Sequence, residues 1–499
     1  MTPSTDREWG ELAREAALAL REHPNVHTVG VGGRRRAGKP TGEPVLIVFV
    51  SRKVPPTELP TSALVPREFQ GVPTDVVEAG RPRRAATVPG AQWGGPYDND
   101  TGRHRPLRGG SRITGAAESE FSGTLGFFMK TATIPNPLIV AVTAHHTLFA
   151  TTGWEVTNME VGQPTPSHSA WGCCDNVFGF YLSGARDASM DAAAIALLAK
   201  QDYYAQIDDI GVIAGTHDVT TAEAATGTYS VRKRGAGTGL TGGTVHAIQA
   251  HTTDMSIQNY MSIIPNAASS GTPGFADHGD SGAAVVDDAG EVVGMIWGIE
   301  DTTGQQDSTG PLSLGWAYAW QIADVISRLN ASGAGYTFAI ETATTLGDKR
   351  TVPGASPAST AAVVSPPVAQ RLEADLARTP EGRRLTELWL RHVDELRYLI
   401  TQSKRTTVQW HRSGGAALVQ CALRMAYDPR LAFPREIAGR PTEQCGDEIL
   451  SLLEQIGSPE LRRDIHAFRE LMPPIGGRSY QQILAALAAG SRQVSPWQA

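Results

Sequence analysis

Cysteine is scarce, with four in 499 residues: Cys173 and Cys174 are adjacent, and Cys421 and Cys445 lie far downstream. Sequence neighbours rarely bridge each other, so no disulfide framework is expected and a reducing compartment, the cytoplasm, is favoured. Neither a CxxC nor an HExxH occurs, which leaves no metal-ligand spacing; no metal and no cofactor are expected. Long apolar runs are missing too. The opening "MTPSTDREWGELAREAALAL" places acids and arginines where a signal peptide needs an apolar core, and it reads as an amphipathic helix. No run approaches the roughly 20 residues that cross a bilayer. Neither sign of charge dominates: the net charge of -7 gives no global attraction to nucleic acid or to anionic membranes, so neither is expected as a partner. The basic run "GGRRRAGK" (32 to 39) reads as a solvated hairpin tip.

What the chain does contain falls into stretches of different texture. Its length exceeds what one core usually supports, so several domains are expected. Residues 1 to 90 read as a small α/β module: a helix, then "NVHTVGVGG" and "VLIVFVSRK" around a polar turn. The glycines of "VGVGG" are followed by a charged turn and another strand, so no helix N-terminus is there to hold a phosphate. From 91 to 345 short β-prone segments follow at close intervals, among them "GTLGFFMK", "LIVAVTA", "GGTVHAI" and "EVVGMIWG", as in a sandwich or barrels; "AWQIADVISRLN" interrupts them as a helix. Residues 346 to 368, rich in Pro, Ala and Ser, read as a linker. Beyond it, 369 to 499 is expected to be an all-α helical domain. Thr379 and Pro380 open a helix with Leu385, Trp389, Val393, Leu396 and Ile400 at spacings of three and four, and the Ser-Pro start recurs at 458. No internal repeat is visible.

The stretch most suggestive of chemistry is "DHGDSGAAVV" (277 to 286). A serine nucleophile needs an exposed hydroxyl at a tight turn and backbone N–H groups turned toward the oxygen that gains charge in acyl transfer; glycines on both sides of Ser281 permit both. The GxSxG elbow is excluded, because Ala283 stands where its second glycine belongs. A base is offered by "AVTAHHTLFA" (141 to 150), where an apolar strand stops at His145 and His146. Consecutive residues at a strand end face different sides, so at most one of the two serves. A carboxylate to orient the ring is offered by Asp191, immediately before the apolar run of "SMDAAAIALL"; Asp187, in the more solvated "GARDAS", is the alternative. From His146 to Asp191 is 45 residues and from Asp191 to Ser281 is 90. Gaps of about 45 and about 93, in the same order, belong to the chymotrypsin-type arrangement.

At these residues the sequence resembles the chymotrypsin-fold (trypsin-like) serine peptidases, and within them the disulfide-poor group that contains plant narrow-leaf proteases and bacterial relatives. The resemblance is carried by "GVPTDVVEAG" (71 to 80), "GTLGFF" (123 to 128), "VTAHHTL" (142 to 148), "MDAAAIAL" (190 to 197), "KRGAGTGLTGGTV" (233 to 245) and "HGDSGAAVVD" (278 to 287), about three-fifths of the chain. It implies two six-stranded β-barrels with the site between them. His146, as the last residue of a Thr-x-x-His segment, becomes the base, Asp191 its orienting acid and Ser281 the nucleophile. The N–H groups of Gly279 and Ser281 become the oxyanion hole. Trp297 and Gly298 of "GMIWG" become the strand that pairs with the substrate backbone. Phe275 stands where trypsins carry an acid at the base of the primary pocket, which argues against cleavage after Arg or Lys. The glycines of 235 to 243 match a family turn and lack the GK[ST] of a phosphate loop, so they read as structural.

The expected function is therefore that of an intracellular serine endopeptidase acting on a protein or peptide substrate through an acyl-enzyme, with conditional activation through the helical tail. The alternative is a proteolytically inactive trypsin-like scaffold whose helical domain recruits a protein partner. Trp410, His411 and Arg412 are the most pointed feature of that tail, and they read as packing and capping residues.

Overall fold

The computed structural model describes residues 3–23, 25–84, 102–115, 122–131, 137–149, 159–164, 176–266, 274–301, 306–307, 310–311, 315–332, 336–353, 374–401, 413, 418, 421, 425, 431–437 and 439–489. Cys173, Cys174, Trp410, His411, Arg412 and the linker segment from 354 to 368 lie outside them. The chain forms two compact units, one from residues 1–114, 120–153 and 181–360, the other from 115–119, 154–180 and 361–499.

The first unit opens with helix α1 (Asp6–Ala19), started by a capping box in which Thr5 and Glu8 satisfy each other's backbone N–H. Trp9, Leu12, Ala13, Ala16 and Ala17 recur at helical spacing and form its buried face. Strand β1 (Val26–Arg36) turns back into β2 (Lys39–Val50), and β2 pairs in parallel with β3 (Val72–Glu78), Leu46 opposite Thr74. A short strand, β4 (Arg81–Arg84), follows directly.

The next sheet contains β5 (Phe127–Thr131), β6 (Ile139–Thr143) and β7 (Asp191–Leu197), each antiparallel to the next, and it continues through residues 181–186. All the residues of β6 and β7 are buried, which is why both read as continuous apolar runs without alternation. Among the described residues this sheet is a half-barrel.

A closed six-stranded antiparallel barrel comes next. Its strands are β8 (Ser230–Gly235), β9 (Gly239–Thr252), β10 (Tyr260–Pro265), β11 (Ala284–Asp287), β12 (Glu291–Asp301) and β13 (Ala317–Gln321). The hydrogen-bonded order is β8, β11, β12, β13, β10, β9 and back to β8, which leaves no open edge within the ring. Strand β9 is long enough to serve two partners: its first half pairs with β8, and its second half takes β1, Thr28 opposite Thr252. The N-terminal α/β module thus shares one sheet and one apolar core with the barrel, from Leu12 and Val31 to Ile248 and Val285. Helix α2 (Ile322–Ala331) and strand β14 (Phe338–Ile340), which pairs with β5, follow. Residues 349–351 then pair with 202–204.

In the second unit the described helices include α3 (Pro380–Thr401), α4 (Thr442–Ile456), α5 (Pro459–Leu471) and α6 (Tyr480–Ala488). Thr379 accepts a hydrogen bond from the Gly382 N–H, and Ser458 caps α5 ahead of Pro459, as the sequence predicts. Leu396, Ile449, Leu453, Leu461 and Ile465 form one apolar cluster. Cys445 is a buried free thiol. Among the described residues no helix is long and apolar enough to cross a membrane.

Candidate active site

Strand β6 ends at Thr143, and the chain tightens into a single 3-10 turn, His145–Thr147, that points the two histidines in different directions. His145 packs against Phe149 and Tyr181, with ring centroids 4.9 and 6.0 Å away. His146 turns to Asp191, the first residue of β7. Its backbone N–H donates to Oδ1 at 2.9 Å, and its ring Nδ1 lies 2.9 Å from Oδ2. On the other side of the ring, Nε2 lies 2.8 Å from Ser281 Oγ. A carboxylate only accepts, so Nδ1 carries the proton and donates to Asp191; Nε2 is then the acceptor, and the Ser281 hydroxyl donates to it.

All three side chains are buried, Asp191 completely. Burial pushes the Asp191 carboxyl up, but the electrostatic and hydrogen-bonding contribution of the His146 ring, the Arg84 guanidinium and the His146 N–H together hold it below its usual range. Arg84 donates from Nε to the same Oδ2 at 2.9 Å and from Nη2 to the Asp187 carbonyl, also at 2.9 Å. The Asp187 side chain instead caps the turn at Ser189 and pairs with Arg328.

Ser281 sits on a turn that two glycines make feasible. Gly279 has φ +95° and Gly282 +91°, a region that side-chain-bearing residues rarely enter. A Cβ on Gly282 would also lie 2.3 Å from Thr143 Oγ1 and 2.4 Å from the Thr124 carbonyl, so the turn packs directly on the end of β6. Thr124 stitches it down. Its N–H donates to the Ser281 carbonyl at 2.8 Å and its hydroxyl to the Gly279 carbonyl at 2.8 Å, while the Ala236 N–H donates to that hydroxyl at 2.9 Å.

Asp280, next to Ser281, is fully buried and faces Lys233 Nζ at 2.9 Å, also fully buried. Its oxygens accept further bonds from the N–H groups of Gly237, Thr238 and Asp277 and from the Thr238 hydroxyl. Lys233 in turn donates to Thr238 Oγ1 and to the Gly239 carbonyl. Burial drives the Lys233 pKa down, and Asp280 opposes the shift. The glycine-rich turn after Lys233, structural in the sequence reading, is the cradle of Asp280: a Cβ on Gly235 would stand 2.2 Å from Oδ1.

Phe275 is fully buried in the core of the closed barrel, against Gly243, whose missing side chain makes room for the ring. Trp297 is buried as well, its ring stacked on Trp320 at 5.0 Å between centroids. Gly298 lies opposite Arg84 of β4. Sequence reasoning missed Arg84, Thr124 and Lys233 as neighbours of the site. Among the described residues no cluster of His, Cys, Asp and Glu could hold a metal ion.

No protein-family model matches the chain, and no curated protein does. Solved structures with a similar arrangement include a chymotrypsin from Cellulomonas bogoriensis, 15% identical, TM-score 0.31, covering 48% of this chain and 99% of that one. A glutamic acid-specific serine protease that uses a histidine triad in substrate binding is 16% identical, TM-score 0.30, covering 47% and 100%. Deg5 is 13% identical, TM-score 0.25, covering 43% and 84%. The chemistry of this chain rests on its own side chains.

Proposed function

We propose that the protein is a serine endopeptidase. The observation that carries the reading is the run of contacts Asp191–His146–Ser281, with 2.9 and 2.8 Å on the two sides of one imidazole. In the proposed reaction His146 Nε2 takes the proton of the Ser281 hydroxyl as Oγ attacks a peptide carbonyl. Asp191 keeps the ring in the required tautomer and stabilises the imidazolium. The oxyanion is held by the N–H groups of Gly279 and Ser281. His146 then hands the proton to the departing amine, and water repeats the sequence to release the acyl group. The main chain of Trp297 and Gly298 is proposed to pair with the substrate backbone, and Phe275, buried in the core, is proposed to leave the primary pocket without an acid. The cytoplasm is the proposed setting, supported by the free thiol of Cys445 and the scarcity of cysteine.

The test is hydrolysis of an unbiased peptide library by the purified chain. Ser281→Ala and His146→Ala are each expected to lower turnover by about a million-fold, about 8 kcal/mol. Turnover that survives both substitutions would overturn the reading.

A further inference from the structure

Strand β4 has an unusual place. It lies antiparallel on β12, with Arg84 opposite Gly298, Arg83 opposite Ile299, Pro82 opposite Glu300 and Arg81 opposite Asp301. The other side of this stretch of β12 belongs to β13, where Gly298 faces Tyr318. The side that β4 takes is the one that carries β11 lower down, Ala284 opposite Met295. Between the two partners the Ser281 turn itself closes onto β12: the Gly282 N–H donates to the Ile296 carbonyl at 2.8 Å, and the Ile296 N–H donates to the Ala283 carbonyl at 2.9 Å. Beyond that turn the edge of β12 offers main-chain groups to any extended segment, which is how a sheet edge captures a peptide.

The direction of β4 matters as much as its place. Antiparallel pairing aims its C-terminal end, Arg84, down β12 toward Ile296 and hence toward the Ser281 turn. A peptide delivering a carbonyl to Ser281 along this edge would run the same way. Two further contacts show a close fit. A Cβ on Gly298 would fall 2.6 Å from the Arg83 carbonyl, so the approach depends on glycine. The Arg84 side chain reaches the carboxylate that holds His146. Upstream the segment is tethered, the Gly80 N–H donating to Glu300 Oε1 at 2.5 Å and its carbonyl accepting from the Tyr318 hydroxyl at 3.0 Å.

We infer that residues 81–84 occupy the strand position of the substrate's acyl side, so that an extended peptide must compete with the chain's own β4 for the edge of β12. The inference rests on the reading of Ser281 as the nucleophile and adds to it what stands in the way of long substrates. Short acyl groups that end beside Ser281 need not displace β4, whereas longer ones do.

The experiment uses the full chain and a variant in which Arg81, Pro82 and Arg83 are replaced by Gly-Ser-Gly, which weakens strand pairing. Two rates are compared within each protein: labelling of Ser281 by a small alkyl fluorophosphonate, and kcat/KM for a library of fluorogenic octapeptides. The ratio of peptide hydrolysis to labelling is expected to rise tenfold or more in the variant. The synthetic hexapeptide Ala-Gly-Arg-Pro-Arg-Arg, the sequence of residues 79–84, is expected to inhibit the variant against octapeptides and to leave its labelling unaffected. In the unaltered chain, hydrolysis is expected to gain nothing from residues added beyond the second on the acyl side. An unchanged ratio, together with unaltered chain that already gains from longer substrates, would overturn the inference while leaving the nucleophile in place. Failure of both proteins to label would remove the nucleophile and the inference with it.

Discussion

Lys233 Nζ and Asp280 Oδ2 meet 2.9 Å apart with neither side chain exposed, one residue from Ser281. Two charges taken out of water cost several kcal/mol each, and only close pairing with further hydrogen bonds offsets that. The many donors around Asp280 meet the requirement, and they fix the turn that carries the serine. Lys233→Met should cost about 3–5 kcal/mol, because it leaves a buried carboxylate uncompensated. Lys233→Met combined with Asp280→Asn should recover most of that loss. Urea denaturation of the two variants measures both; equal instability of single and double variants would show that the pair does not anchor the turn.

Thr124 holds the same turn from the opposite side. Thr124→Val strands the Ala236 N–H and removes the donor to the Gly279 carbonyl, a cost of about 1–3 kcal/mol. If Gly279 then shifts, fluorophosphonate labelling of Ser281 should slow about tenfold, the effect of about 1.4 kcal/mol. Thr124→Ser keeps the hydroxyl and should retain the rate. A valine variant that labels at the original rate would separate the threonine from the site.

Stability should fall in mild acid. Burial pushes His27 down to about 4, His246 to about 3 and His251 to about 4, from an ordinary 6.5, with nearby Arg81, Arg35 and Arg14 adding to the shift. Above about pH 6.5 these rings are neutral folded or unfolded and contribute nothing. As pH falls from there toward 4, the unfolded chain takes up protons that the folded one refuses, and stability declines by up to about 1.4 kcal/mol per pH unit per ring. His246, between Phe49 and Trp316, tests this best. His246→Phe should lose about 2 kcal/mol less than the unaltered chain between pH 7 and pH 5. Identical losses in chemical denaturation would contradict the assignment.

The parts of this architecture legible in sequence are those that leave a local mark. Helix starts at Thr379 and Ser458 show because a cap and its helix are contiguous. His146, Asp191 and Ser281 show because each stands at the end or start of an apolar run, with glycines around the last. The direction of His146 rather than His145 came from the Thr-x-x-His resemblance; the 3-10 turn is the physical reason for it. Arg84, Lys233 and Thr124 left no such mark. Arg84 meets Asp191 across 107 residues and Thr124 meets Gly279 across 155, and the side chains gain their meaning only when β4 and the glycine turn fold onto the site. The pairing of β1 with β9 is equally silent, since "VGVGG" carries nothing that specifies Ile248 or His251 as its partner.

In the proposed chemistry one imidazole activates one serine, and the site of covalent capture measures this most directly. The purified chain, treated with a fluorophosphonate and digested, should carry the label on Ser281, and His146→Ala should abolish labelling while preserving the fold by circular dichroism. Label on another residue, or equal labelling after His146→Ala, would contradict the account.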